Sequence, residues 1–200
     1  MSVVAFFPML TIPSRAELKA SPLQTERLLL VPIDASDGPD VWNAVSNSRA
    51  FLQRWLPWVQ FATDPAASNH FADACSADWE HGRAVRFIIR ERTHKKLLGI
   101  VGLETCMHLH QSCELGYWLR RDATGKGFMH EAVQATLEFA FRSMGAHRIR
   151  VAAATDNHAS LRVIARTGAR FEGIAREAEW CDGRWLDHAV FSILVSDPRA

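Results

Sequence analysis

At 200 residues the chain is long enough for one substantial core, burying roughly 70% of the surface its unfolded form exposes, so a single domain is expected. A formal net charge of +1, from 23 Lys and Arg against 22 Asp and Glu, leaves no broad cationic footprint for nucleic-acid phosphates, and no basic run points to an anionic membrane. The four cysteines, Cys75, Cys106, Cys113 and Cys181, show no C-x-x-C spacing and no regular framework, which fits free thiols in a reducing, cytoplasmic setting.

The apolar start, residues 3–10, has no basic residue before it, contains Pro8 and lacks a small-residue cleavage site, so it does not read as a secretion signal. Residues 1–22 read as an arm or an extra edge element ahead of one domain over 23–197. No apolar run approaches the ~18 residues of a membrane helix. Residues 28–33 read as the first strand, followed by the turn and capping residues of 34–40 and a helix containing Val41, Trp42 and Val45. A short helix ends at Trp55. Asp64-Pro65 then opens a helix to about 81–82, with Phe71, Cys75, Asp78 and Trp79 at three- and four-residue steps.

Residues 85–90, 97–105 and 114–119 read as three consecutive strands in an antiparallel meander. A helix beginning near His130 follows, with Val133, Leu137, Ala140, Phe141 and Met144 on one face and Gly145 as its stop. Beyond it, Ile149, Val151 and Ala153 alternate with Arg148 and Arg150, a half-covered strand able to lie parallel to 114–119 after the crossover helix. Asn157 opens a short helix ending at Gly168, and Asp182-Gly183 turns a final hairpin whose second strand runs through Val190 and Ile193.

Residues 121–129, Arg-Asp-Ala-Thr-Gly-Lys-Gly-Phe-Met, carry the strongest chemical signal. They join a strand directly to a helix through a glycine-punctuated turn. The first turn of a helix leaves backbone N–H groups unpaired, its dipole adds partial positive charge, and glycines admit a phosphate close to the main chain. A diphosphate ligand is expected, the alternative being that the glycines serve only a tight turn. A Walker A loop would need glycine at Arg120 and Ser or Thr at Gly127, and a dinucleotide fingerprint would need glycine at His130; neither is met. The stretch Cys106-Met107-His108-Leu109-His110-Gln111-Ser112-Cys113 gathers four potential metal ligands, but its spacing matches no common zinc pattern, so it reads as a polar hairpin loop and no metal is expected.

Three further stretches, Thr25-Glu26-Arg27-Leu28-Leu29-Leu30, Asn157-His158-Ala159-Ser160 and Gly168-Ala169-Arg170-Phe171-Glu172-Gly173, stand in order with Gly116-Tyr117-Trp118-Leu119 and Gly125-Lys126-Gly127. Together they resemble the GNAT superfamily of acetyl-CoA-dependent N-acetyltransferases over nearly the whole chain, and more narrowly the Rim-type enzymes that acetylate the amino termini of ribosomal proteins. The resemblance implies an α/β fold: a mixed, mostly antiparallel twisted sheet of about seven strands, helices on both faces, and a coenzyme A cleft between two splayed central strands. It implies that the amides of Gly125, Lys126, Gly127, Phe128 and Met129 hold the pyrophosphate of acetyl-CoA. Tyr117, Trp118 and Leu119 would line the pantetheine arm, with Asn157 and Ser160 completing the cofactor set. At Asp122 the chain departs from the superfamily pattern, which has Gln or Arg there; Arg120, Arg121 or Lys126 could supply the missing charge.

Acetyl transfer needs a neutral amine, a place for the oxyanion and a proton for the departing thiolate. An α-amino group with pKa near 8 costs about 1.4 kcal/mol to neutralise at pH 7 and a lysine roughly 4.6 kcal/mol, so a carboxylate suffices for the first. Many GNAT enzymes protonate the thiolate with a tyrosine seven residues after the Asn157 position, where this chain has Ile164; its one tyrosine is Tyr117. The Rim-type pattern instead implies Ser160 as acid and Glu179, in Ala178-Glu179-Trp180, as base. Read without the resemblance, Ser160 would satisfy a helix start and Glu179 would be a solvated strand residue. Glu104 is the rival base, with His108 and His110 behind it, and Trp55, Trp58, Glu104 and His108 are the expected acceptor-side residues. The acceptor is expected to be a protein α-amino group, the alternatives being a small-molecule amine or a non-catalytic acyl-CoA-binding regulator. The oligomeric state, a homodimer included, stays open.

Overall fold

The computed structural model describes residues 9–198, so the apolar start from Val3 to Pro8 lies outside the described residues. In chain order the elements are α1 (Arg15–Ala20), β1 (Leu23–Gln24), β2 (Leu28–Pro32), α2 (Gly38–Ser46), α3 (Arg49–Leu52), α4 (Pro65–Glu80), β3 (Val85–Glu91), β4 (Leu97–Met107), β5 (Ser112–Leu119), α5 (Phe128–Arg142), β6 (Arg148–Ala154), α6 (His158–Ala165), β7 (Arg170–Cys181) and β8 (Arg184–Leu194). Eight strands form one sheet in the order β1-β2-β3-β4-β5-β6-β8-β7. The strand beyond the expected seven is β1, whose two residues are too few to show a period.

Apolar alternation fixes which side of each element is covered. On one face Val133, Leu137 and Ala140 of α5, with Met144 just past its end, pack against Val101, Leu103, Leu115, Ile149 and Val151. Full burial of a side chain such as Leu137 contributes about 1.5–3 kcal/mol. On the other face Val41, Ala44 and Val45 of α2 and Ala72 and Cys75 of α4 cover Ile88, Ile100 and Trp118. Helix α4 starts where Asp64, in extended backbone, accepts a hydrogen bond from Ala67 N at 2.9 Å and Pro65 enters the first turn. Asp64→Ala should therefore cost about 1 kcal/mol in denaturant unfolding.

The arrangement of β5 and β6 positions the site. All other neighbouring strands are antiparallel, while these two are parallel and paired only from Ser112↔Arg148 to Leu115↔Val151. Beyond that point Gly116–Leu119 pair only with β4, and Ala152–Ala154 only with β8. The two strands thus part at Gly116, leaving a V-shaped opening with main-chain groups along its walls.

Residues 9–20 carry an arm and the helix α1. Buried Leu10 belongs to the main core, Thr11 N donates to Met144 O at 2.9 Å, and Trp79 Nε1 donates to Pro13 O at 2.9 Å. Among the described residues no helix is long and apolar enough to cross a membrane.

Candidate active site

The turn between β5 and α5 takes two left-handed glycines, Gly125 at φ 75° and Gly127 at φ 81°, the second being the N-cap of α5. No side chain caps that helix, so its first N–H groups face the opening with the positive end of the dipole. A Cβ at Gly125 would meet nothing within 4 Å, so the approach to the main chain is open.

The Thr25-Glu26-Arg27 stretch braces this turn. Arg27 Nη1 donates to Lys126 O at 2.9 Å, while Arg27 Nε and backbone N reach the two Glu131 oxygens at 2.7 and 2.8 Å. Thr25 Oγ1 also donates to Glu131, and the Arg27 guanidinium lies 4.7 Å from the Phe128 ring centroid. Burial works against the Glu131 charge, but the hydrogen bonds from Thr25 and Arg27 outweigh it and hold this carboxyl below its usual range. A carboxylate in the first turn also suits the helix dipole.

At the departure from the superfamily pattern, Asp122 is bonded by Lys96 Nζ at 2.9 Å and Arg120 Nε at 2.5 Å, and the Lys96 bond is the main reason its carboxyl is held low. Arg120 is therefore committed to Asp122. Arg121 and Lys126 form no ion pair among the described residues and remain available to an anion.

A cleft of about 480 Å³ runs from this turn through the splay. Its lining joins Gly125, Gly127, Phe128 and Met129 to Tyr117, Trp118, Leu119, Asn157, Ser160 and Trp55. Asn157 caps α6, its Oδ1 accepting from Ser160 N at 3.1 Å, which leaves the Ser160 hydroxyl free for other partners. Tyr117 Oη lies 2.8 Å from that hydroxyl oxygen. At the other end Trp55 packs with Ala154, Cys181 and Leu186, and the guanidinium carbons of Arg54 and Arg184 lie 5.5 and 5.8 Å from its ring centroid.

Glu179 is outside the cleft lining; it stands opposite Leu186, which packs with Trp55 at this end, and its Oε2 lies 3.5 Å from His188 Nε2. Three other strand carboxylates are held by arginine, Glu104 by Arg86 at 2.7 Å, Glu172 by Arg148 at 2.8 Å, and Glu114 by Arg150, while Asp187 on β8 accepts a hydrogen bond from Glu177 N at 2.8 Å. The Arg148 bonds, helped by Ser192, pull the Glu172 carboxyl down to about 2.

Residues 27–170 match the family described as Acetyltransferase (GNAT) domain. The chain belongs to the GNAT acetyltransferases. This GNAT chain is 34% identical over 181 residues to the Probable N-acetyltransferase YjcK of Bacillus subtilis (strain 168), covering 88% of this chain and 98% of that protein. It is 27% identical over 178 residues to the ribosomal protein uS5 alanine N-acetyltransferase of Escherichia coli (strain K12), covering 88% and 91%. Its fold is similar to that of RimL, a ribosomal L7/L12 alpha-N-protein acetyltransferase solved with coenzyme A, at TM-score 0.83 and 23% identity, over 87% of this chain and 98% of that one. The protein is an N-acetyltransferase.

In this GNAT enzyme three of the expected acceptor-side residues lie off the cleft lining. Glu104 shares Arg86 with Asp78, and Arg86 Nη1 reaches Asp78 Oδ2 at 2.7 Å. His108 has both ring nitrogens engaged, Nε2 with Gly82 O at 2.8 Å and Nδ1 with Leu10 O at 3.3 Å. Trp58 stacks on Phe71 at 6.5 Å between centroids and touches the cleft only through Trp118 at 5.9 Å. The cleft is also lined by Arg54, Asp156, His158, Arg162 and Arg166, single polar residues in loops or on and after the short α6 that carry no periodic signal, and by His130 in the first turn of α5.

Proposed function

We propose that this enzyme moves an acetyl group from acetyl-CoA to the α-amino group of a protein, by direct attack within a ternary complex in the cytoplasm. The diphosphate lies on the first turn of α5, the pantetheine arm follows Tyr117, Trp118 and Leu119 through the splay, and the thioester arrives between Ser160 and the Trp55 end of the cleft. Glu179 receives the proton of the attacking amine, directly or through water, and Ser160 protonates the sulfur. Support for the donor comes from the open helix start and from RimL, solved with coenzyme A. Support for the acceptor comes from the relatives named for ribosomal-protein amino termini.

The observation that carries the base assignment is the partner set of the carboxylates. A carboxylate locked to an arginine has its oxygens occupied by guanidinium N–H donors, so it is poorly placed to take a proton from an amine. Glu104, Glu114 and Glu172 are each so locked. Glu179 faces a histidine, which carries charge only when protonated.

Glu179→Gln should lower kcat/KM about tenfold at pH 7, with the deficit shrinking above about pH 8 where the amine is already neutral. Thiol release from acetyl-CoA, followed across pH with peptides, polyamines and amino-acid amides as acceptors, tests both parts. A deficit that does not vary with pH removes Glu179 as base, and turnover confined to the small amines removes the protein acceptor.

A further inference from the structure

Tyr117 leaves β5 just past the point where pairing to β6 ends, and its phenol oxygen lies 2.8 Å from Ser160 Oγ and 3.3 Å from Ser160 O. Both residues line the cleft. Asn157 fixes the Ser160 N–H separately, so the serine hydroxyl is not spent on capping α6. Among the described residues Tyr117 is the one side chain bonded to that hydroxyl. The position seven residues after Asn157 holds Ile164, fully buried in the core, so the phenol reaches the site from the strand instead of from α6.

We infer that Tyr117 is the positioning residue for Ser160, aiming its hydroxyl at the departing sulfur and restoring its proton, an inference that rests on Ser160 being the acid. The amine lone pair forms the C–N bond, the C–S bond breaks, and its electron pair leaves on sulfur. Ser160 Oγ–H protonates the sulfur while the phenol proton passes to Ser160 Oγ, and water in the open cleft reprotonates the phenolate. The surplus amine proton leaves through Glu179 to the same solvent, so the proton count closes.

A serine alone is a poor donor to a thiolate whose conjugate acid has pKa about 8.5, because an alkoxide is by far the stronger base. Ending the relay on a phenolate leaves the charge on a weaker base. Burial pushes the Tyr117 phenol up to about 12, with the Ser160 hydrogen bond acting in the opposite sense, so it remains protonated at neutral pH. The titratable and charged groups sharing the cleft are His130 on α5, Asp156 before α6, His158, Arg162 and Arg166 on and after α6, and Arg54 at the far end.

Tyr117 is the only tyrosine in the chain, so biosynthetic incorporation of fluorotyrosine changes this phenol alone, keeping its size and hydroxyl while making it more acidic. The fluorotyrosine enzyme should lose kcat at a lower pH than the unlabelled enzyme. Tyr117→Phe should lower kcat about tenfold with coenzyme A affinity unchanged, and combined with Ser160→Ala it should cost no more than Ser160→Ala alone. An unshifted alkaline limb, multiplying losses in the double variant, or weakened coenzyme A binding in Tyr117→Phe would each overturn the inference. Wild-type kcat in Tyr117→Phe beside a slow Ser160→Ala defeats the tyrosine and spares the serine, whereas wild-type kcat in Ser160→Ala defeats the parent reading.

Discussion

Ser160→Ala should lower kcat by about 10²–10³ while leaving the dissociation constant of coenzyme A near the wild-type value. The separation is expected because the hydroxyl takes no part in capping α6, its bonded side chain being Tyr117. The Ser160 backbone N–H, not its side chain, takes part in the α6 cap, with Asn157 as the capping group. Alanine keeps that N–H and suits a helix, so the folded state should be undisturbed. On the proposed role, what disappears is the proton source for a thiolate, felt only in the transition state and therefore in kcat. Single-turnover kinetics beside calorimetric titration of coenzyme A measures the two quantities independently. A loss confined to affinity would make Ser160 a cofactor contact.

Gly127→Val should weaken coenzyme A binding about 10- to 100-fold with a smaller effect on the chemical step. At φ 81° a β-branched residue is strained by about 1–3 kcal/mol. Its Cβ would stand 3.4 Å from Arg27 Nη2, the group next to the one that bonds Lys126 O, so the brace beneath the turn is disturbed as well. Relief of either strain moves the first N–H groups of α5 away from the proposed diphosphate position. Gly125→Ala is the control, since at φ 75° it carries backbone strain but its Cβ meets nothing within 4 Å. It should weaken binding less. Equal dissociation constants for all three proteins would contradict a diphosphate cradle at this turn.

Local signals made much of this fold readable. The Asp64-Pro65 entry to α4, the apolar stripe from Val133 to Phe141 on α5 and the Asp182-Gly183 turn between β7 and β8 each rest on one residue's conformational preference or on a simple period, and each appears where expected. The parallel pairing of β5 with β6 was inferable from the crossover helix, but the distance over which they stay paired was not, because register is set by non-local packing. The same limit explains the site. Gly125, Gly127, Asn157 and Ser160 lie in short motifs and converge on one cleft. His108 and Glu104 looked equally chemical in the linear sequence, yet their partners Leu10, Gly82 and Arg86 come from elsewhere in the chain, and those contacts decide what the side chains are free to do. Thr25 and Arg27 form a recognisable local pattern, but their role depends on Glu131, more than a hundred residues away, which accepts from both.

The most direct measurement is a transfer reaction with labelled acetyl-CoA and a peptide that carries both a free α-amino group and a lysine, the product being fragmented in a mass spectrometer to locate the acetyl group. A carboxylate base beside a site that needs to neutralise an amine of pKa near 8 predicts the label on the terminal nitrogen at pH 7, with the lysine left unmodified. Label on the lysine alone, or none on the peptide while coenzyme A is bound, would contradict it.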